Sequence, residues 1–168
     1  MYDFKEVENV IREAFWNVYM PGCDEHLIIH KLKDDKCFVN DLSLVIEEDN
    51  KIISAIFYAL GKLKNEDKEK DVLFFGPIGV LPNYQGLEYG ATLIHESLKL
   101  AKEKGLKIPV VYNTSSYENI DTIKMLDGLV DIYLPDLKYY DNSYGLKYSK
   151  CNNYFKYASS AIEEMYRQ

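Results

Sequence analysis

Apolar residues recur at helical spacing from the start of the chain. Val7, Val10, Ile11, Ala14, Phe15 and Val18 share one stripe and predict a helix from Asp3 to Tyr19, with Pro21 and Gly22 ending it. Asp24 is placed to cap a second helix reaching Leu32, with Leu27, Ile28 and Leu32 on one face. After the polar stretch Lys33 to Lys36 the period changes. Leu42 to Glu47 and Ile52 to Leu63 are rich in β-branched and aromatic residues, and Asp49-Asn50-Lys51 between them predicts a β-hairpin. The polar run Lys64 to Lys70 predicts another turn. Val72 to Val80 reads as a central strand, which Pro82 stops.

The strongest helical stripe comes next, with Gly90, Leu93, Ile94, Ser97, Leu98 and Ala101 on one side and Gly105 as its stop. Beyond it the pattern predicts a strand at Ile108 to Tyr112 and a helix at Tyr117 to Leu126 closed by Gly128. A strand at Val130 to Leu134 comes after that. A last helix covers Asn153 to Tyr166, with Tyr154, Tyr157, Ala158, Ala161, Ile162 and Met165 inward. Strands and helices interleave, which predicts an α/β or mixed-sheet domain. At 168 residues, one domain is the expectation.

Charge narrows the partners. Acidic residues exceed basic ones by 27 to 20, and no basic stripe with interleaved aromatics appears, so nucleic acid is a poor partner. The first residues lack the charged and apolar regions of a signal peptide. No apolar run approaches the roughly 18 residues that span a bilayer, and the cytoplasm is the expected location. Cys23, Cys37 and Cys151 are odd in number and have no Cys-x-x-Cys spacing, so neither a disulfide framework nor a zinc site is expected. His30 and His95 lie on helices without a partner motif and read as structural or exposed.

One stretch carries chemistry. Between the strand ending at Val80 and the helix of Gly90 lies Leu81-Pro82-Asn83-Tyr84-Gln85-Gly86-Leu87-Glu88-Tyr89, a turn entering a helix. Such a turn leaves main-chain N–H groups unpaired, and the helix dipole adds about half a positive charge there, which suits a diphosphate without any lysine. The run resembles the signature of the GNAT N-acetyltransferases, a Val-x-Pro-x-Tyr-Gln turn leading into Gln/Arg-x-x-Gly-x-Gly/Ala. Val80, Pro82, Tyr84, Gln85 and Gly90 match it, whereas Glu88 stands where the family has its middle glycine. A residue with a Cβ resists positive φ, and a carboxylate there repels a diphosphate.

That resemblance implies a GNAT-like fold: a mixed, mostly antiparallel sheet flanked by helices, binding acetyl-CoA as cosubstrate, with no metal and no iron–sulfur cluster. It implies that Ile78, Gly79 and Val80 pair with the pantetheine arm, and that Gln85, Gly86, Leu87, Glu88, Tyr89, Gly90 and Ala91 cradle the diphosphate. An amide such as that of Val80 would polarise the thioester. Gly22-Cys23-Asp24-Glu25-His26 is similar to a segment of many family members. Glu25 or His26 could face the acceptor amine, or Glu25 could simply stabilise a helix start beside an ordinary surface histidine. Tyr117 sits where the family has a tyrosine that protonates the departing thiolate, and packing is its other reading.

The ends depart from the family. Its first strand is missing, and after Gly105 its closing elements are not recognisable. Pro109 to Glu118, Leu126 to Tyr139 and Ala161 to Gln168 instead resemble a barrel fragment of radical-SAM proteins similar to pyruvate formate-lyase activating enzymes. The Cys-x-x-x-Cys-x-x-Cys that holds their cluster is absent. The expectation is a single GNAT-like domain over residues 1–168. Residues 1–106 form its core, and 107–168 form an atypical strand-helix-strand-helix segment acquired by recombination. Two functions are implied: an acetyl-CoA-dependent N-acetyltransferase acting on a small-molecule or peptide amine, or a degenerate, non-catalytic fold that binds CoA or a partner. The stripe of the last helix must be buried on the sheet or on a second copy, which makes a homodimer the partner expectation.

Overall fold

A computed structural model describes residues 3–18, 21–65 and 68–168. The chain forms two compact units, residues 1–105 and 106–168.

The first unit opens with α1 (Phe4–Phe15), whose N-terminus is closed by the Asp3 side chain accepting from the Lys5 N–H. Val7, Val10 and Ile11 are buried as the stripe predicts. The helix stops four residues short of the expected Tyr19, which lies outside the described residues. Asn17 adopts φ 57°, its N–H donates to the Gly22 carbonyl and its Oδ1 accepts from the Gly22 N–H, so the chain turns before Val18 can join the stripe. Val18 is exposed. In α2 (Glu25–Leu32) the buried residues are Ile29 and Leu32, and Leu27 and Ile28 face solvent, contrary to the expected face.

A three-stranded antiparallel sheet comes next, in the order β1 (Leu44–Glu48), β2 (Lys51–Asn65), β3 (Lys68–Val80). Asp49 and Asn50 both hold positive φ in the first hairpin, which matches the twist of the strands they join. The ends of the polar run expected as a turn extend the two antiparallel strands on either side of it, with Lys64 opposite Glu69 and Asn65 opposite Lys68, and Glu69 takes ion pairs from Lys62 and Lys64. Residues 66 and 67 of that run lie outside the described residues.

β2 is buried on both faces from Ile52 to Tyr58. Ala55 and Phe57 join Val7, Val10, Ile11 and Ile29 in one core, while Tyr58 donates to or accepts from Ser97 of α3 (Tyr89–Glu103) at 2.8 Å on the other face. The sheet is therefore a layer between α1–α2 and α3. β3 was expected to be central; among the described residues it has β2 as its one partner and forms the sheet edge. An edge strand accommodates Pro77, which has no N–H to give a second ladder.

The second unit contains β4 (Val111–Thr114), α4 (Ile120–Met125), β5 (Ile132–Pro135), α5 (Asn142–Ser149) and α6 (Tyr154–Arg167). β4 begins three residues later than the expected strand and pairs in parallel with β5. The helix expected from Tyr117 starts at Ile120, because the Asn119 side chain caps it by accepting from the Asp121 N–H. The hydrophobic pattern does not predict α5. Its apolar periodicity is weak, and Asp141 capping the Ser143 N–H is the signal that marks it. α6 buries Tyr154, Ala158, Ala161 and Met165 within this unit, whereas Tyr157, expected inward, is exposed. Among the described residues no helix is long and apolar enough to cross a membrane.

Candidate functional site

The end of β3 is built by a change of register. Ile56 pairs with Ile78 and Tyr58 with Phe75, so β3 carries one extra residue at Gly76-Pro77, where Gly76 takes φ 125°. A bulge of this kind bends a strand and re-aims the residues after it. Beyond it, Leu81 donates its N–H to the Ile53 carbonyl across 2.9 Å. Leu81 and Ile53 are thus a hydrogen-bonded pair, and the alternation of an antiparallel ladder turns the main-chain groups of Val80 and Ile78 away from β2, onto the free edge. The Val80 carbonyl is taken there by the side-chain amide of Gln85, at 3.1 Å.

Side chains alternate with those main-chain groups. A Cβ on Gly79 would stand 2.8 Å from Ile11 Cδ1 and 3.1 Å from Ala14 Cβ, so this position lies directly under α1. Ile78 and Val80 face the opposite way, toward Gly90 in the first turn of α3.

The chain leaves β3 through a 3-10 turn at Pro82–Tyr84 and enters α3 at Glu88. Tyr84 and Tyr89 meet edge to face with ring centroids 6.1 Å apart and brace the loop. Gly86 takes φ 78° and Glu88 takes φ 64°, ψ 6°, with no side-chain capping bond. The strain foreseen for Glu88 is thus present in the backbone. The first helical bond is from the Thr92 N–H to the Glu88 carbonyl. Among the described residues, the N–H groups of Gly86, Leu87, Glu88, Tyr89, Gly90 and Ala91 make no hydrogen bond. These are open donors at the positive end of a 15-residue helix, beside a strand edge whose donors are also open.

Residues 4–127 match the Acetyltransferase (GNAT) family. The chain belongs to that family. A GNAT family acetyltransferase from Brucella melitensis, solved in complex with acetyl-CoA, is 31% identical, with a TM-score of 0.55 over 62% of this chain and 66% of that one. AAC(6')-Iy, solved with the bisubstrate analogue CoA-S-monomethyl-acetylneamine, is 17% identical over 82% of this chain and 90% of that one; its TM-score of 0.50 speaks for the fold alone. The uncharacterized protein MJ0674 of Methanocaldococcus jannaschii is 44% identical over 48 residues, which are 29% of this chain and 14% of that protein. The chain thus covers just under two thirds of the Brucella protein and a small part of MJ0674.

Within this GNAT chain the remaining candidates fall in separate settings. Glu25 opens α2, and its Oε2 accepts from the Asp24 N–H at 3.1 Å, while Asp24 itself makes no capping bond. His26 Nδ1 lies 3.5 Å from Cys23 Sγ. Burial, and then the carboxylates of Glu25 and Asp24, push the Cys23 thiol upward, the opposite of an activated nucleophile. Tyr117 donates its hydroxyl to the Asn152 carbonyl at 2.9 Å, and its ring stacks on Tyr154. Desolvation, followed by Cys151 and Tyr157, raises its pKa, so the phenol is protonated at neutral pH. His30 pairs with Glu8 and His95 with Glu96. Among the described residues no three His, Cys, Asp or Glu side chains cluster as metal ligands.

The contact of the Gln85 side chain with Val80 was not legible in the sequence. It depends on the tight turn at Pro82–Tyr84 folding the amide back over the strand edge, and no spacing rule encodes that reach.

Proposed function

We propose that this chain is an acetyl-CoA-dependent N-acetyltransferase for a small-molecule or peptide amine. The observation carrying this reading is the pairing of two open donor sets in one unit: the free-edge groups of Ile78 and Val80, and the unpaired N–H groups from Gly86 to Ala91. They suit the amide-bearing arm and the diphosphate of CoA respectively. When bound, the thioester supplies an activated acetyl group. Ile78 and Val80 align the arm, and the Val80 N–H is the donor assigned to the acyl oxygen. Glu25 is assigned as the base on the acceptor side. Gly79 contributes by absence of a side chain, letting α1 lie on the strand.

The AAC(6')-Iy complex, whose ligand joins CoA to an acetylated amine compound, supports an amine acceptor for this fold. A cytoplasmic location belongs to the proposal, as does a homodimer formed through the exposed face of Val111, Ile132 and Leu134. Light scattering that gives a monomer at assay concentration removes the dimer.

One observation favours a second reading, a degenerate GNAT fold with a recombined C-terminal segment. Glu88 places a carboxylate and a strained backbone in the middle of the donor loop. Calorimetric titration with acetyl-CoA, followed by release of free thiol in the presence of a panel of amines, tests both. Binding with amine-dependent thiol release supports the enzyme, and binding alone supports the degenerate fold. No heat of binding at about 1 mM acetyl-CoA overturns both.

A further inference from the structure

The second unit carries a cavity of about 480 Å³ that the acetyl-transfer reading leaves unused. Its wall includes Tyr117, Glu118, Ile120, Lys156 and Tyr157. We propose that it binds a small organic ammonium ion with an apolar body.

The charge argument rests on Glu118. Its Oε1 accepts from the Thr114 hydroxyl at 2.5 Å and from the Tyr112 hydroxyl at 3.3 Å. Both donors are neutral, and both residues are buried. Among the described residues, Oε2 receives no hydrogen bond, and no lysine, arginine or histidine pairs with the carboxylate. A half-buried carboxylate held by hydroxyls and lacking a counter-ion is completed by an incoming cation.

The walls select the rest of the ligand. Tyr117 and Tyr157 meet edge to face at 5.7 Å and 86°, and Ile120 adds an aliphatic surface. Aromatic faces attract ammonium groups and pack apolar bodies, which favours an aryl- or alkyl-amine over an inorganic cation. Lys156 acts against the ligand. Its Nζ sits 6.0 Å from the Tyr157 centroid, so a resident cation already occupies one aromatic face.

The turn presenting Glu118 is also strained. Ser116, between Thr114 and Glu118, is fully buried at φ 64°, and among the described residues its Oγ has no hydrogen-bond partner. Strain retained in a turn of this kind is a recurring mark of binding sites.

Titration of the full chain with phenethylammonium, in the absence of acetyl-CoA, tests the inference separately from the acetyl-transfer reading. Saturable single-site binding is expected, with no competition from the neutral phenethyl alcohol. Glu118→Gln keeps an amide oxygen for both hydroxyls and removes the charge, and should weaken binding at least about tenfold. Lys156→Ala, at an exposed position, should strengthen it about threefold by removing the competing cation. No saturation below about 10 mM, equal binding of the alcohol, or unchanged affinity in a folded Glu118→Gln chain overturns the proposal.

Discussion

The side-chain amide of Gln85 donates to the main-chain carbonyl of Val80 across 3.1 Å, fastening the turn after β3 to the free edge of that strand. The two halves of the donor site are thereby held in one arrangement. Gln85→Ala removes the fastening without touching the core, since Gln85 is exposed. One such bond contributes about 0.5–1.5 kcal/mol, so KM for acetyl-CoA should rise about three- to tenfold while kcat changes less. Steady-state kinetics check the split; an unchanged KM places the fastening outside cosubstrate binding.

Glu88 supplies the second prediction. A residue with a Cβ loses about 1–2 kcal/mol in the left-handed region, and glycine costs about 0.5–1 kcal/mol in unfolded-chain entropy, so relief exceeds cost. Glu88→Gly should stabilise the chain by about 0.5–1 kcal/mol in urea denaturation. It should also tighten acetyl-CoA binding, because a negative charge leaves the donor loop. A gain in stability with no gain in affinity would mean that the carboxylate points away from the ligand.

How much of this could be read from residues alone depends on how local the cause is. α3 was legible from Leu93 to Ala101 because its period and its stop at Gly105 are local, and the Glu88 strain was legible because φ is a property of one residue. The position of β3 at the edge was not. Its apolar run fits a strand buried on both faces, and α1 and α3 cover those faces whether or not a second strand lies alongside. The early end of α1 depends on an Asn17–Gly22 closure across five residues, which the continuing stripe to Val18 conceals. Unit 2 was read with the right order of strands and with β4 starting three residues too early. There Asp131 both accepts from the Val110 N–H through its side chain and donates its own N–H to the Val110 carbonyl, setting the start of pairing.

Acid sensitivity should centre on Glu164. Hydrogen bonds from Arg167, and then from Gln168, hold its carboxyl down to about 2 from an ordinary value of 4.5. The folded value lies below the unfolded one, so the stabilisation is complete above the unfolded value and declines as pH falls from about 4.5 toward about 2. Urea midpoints between pH 7 and pH 2 should fall across that window, and Glu164→Gln should flatten part of the fall. The remainder belongs to carboxylates such as Asp41 and Glu69, which lysine partners also lower. An unaltered pH profile in Glu164→Gln would assign the whole effect to those others.

Two glycines near Val80 should respond to the same substitution with opposite signs. At Gly79 an added methyl meets Ile11 Cδ1 at 2.8 Å and Ala14 Cβ at 3.1 Å, so α1 has to shift on the sheet. Overpacking of this kind costs about 1–3 kcal/mol, and Gly79→Ala should destabilise by the lower part of that range because the Ile11 terminus can rotate aside. At Gly90 the new methyl stands 3.6 Å from Val80 Cγ2, an ordinary contact, inside a helix where alanine is favoured by about 0.5–1 kcal/mol. Gly90→Ala should therefore raise the urea midpoint. Finding both variants equally destabilised would show that α3, like α1, is seated too closely on the end of β3 to admit a methyl group.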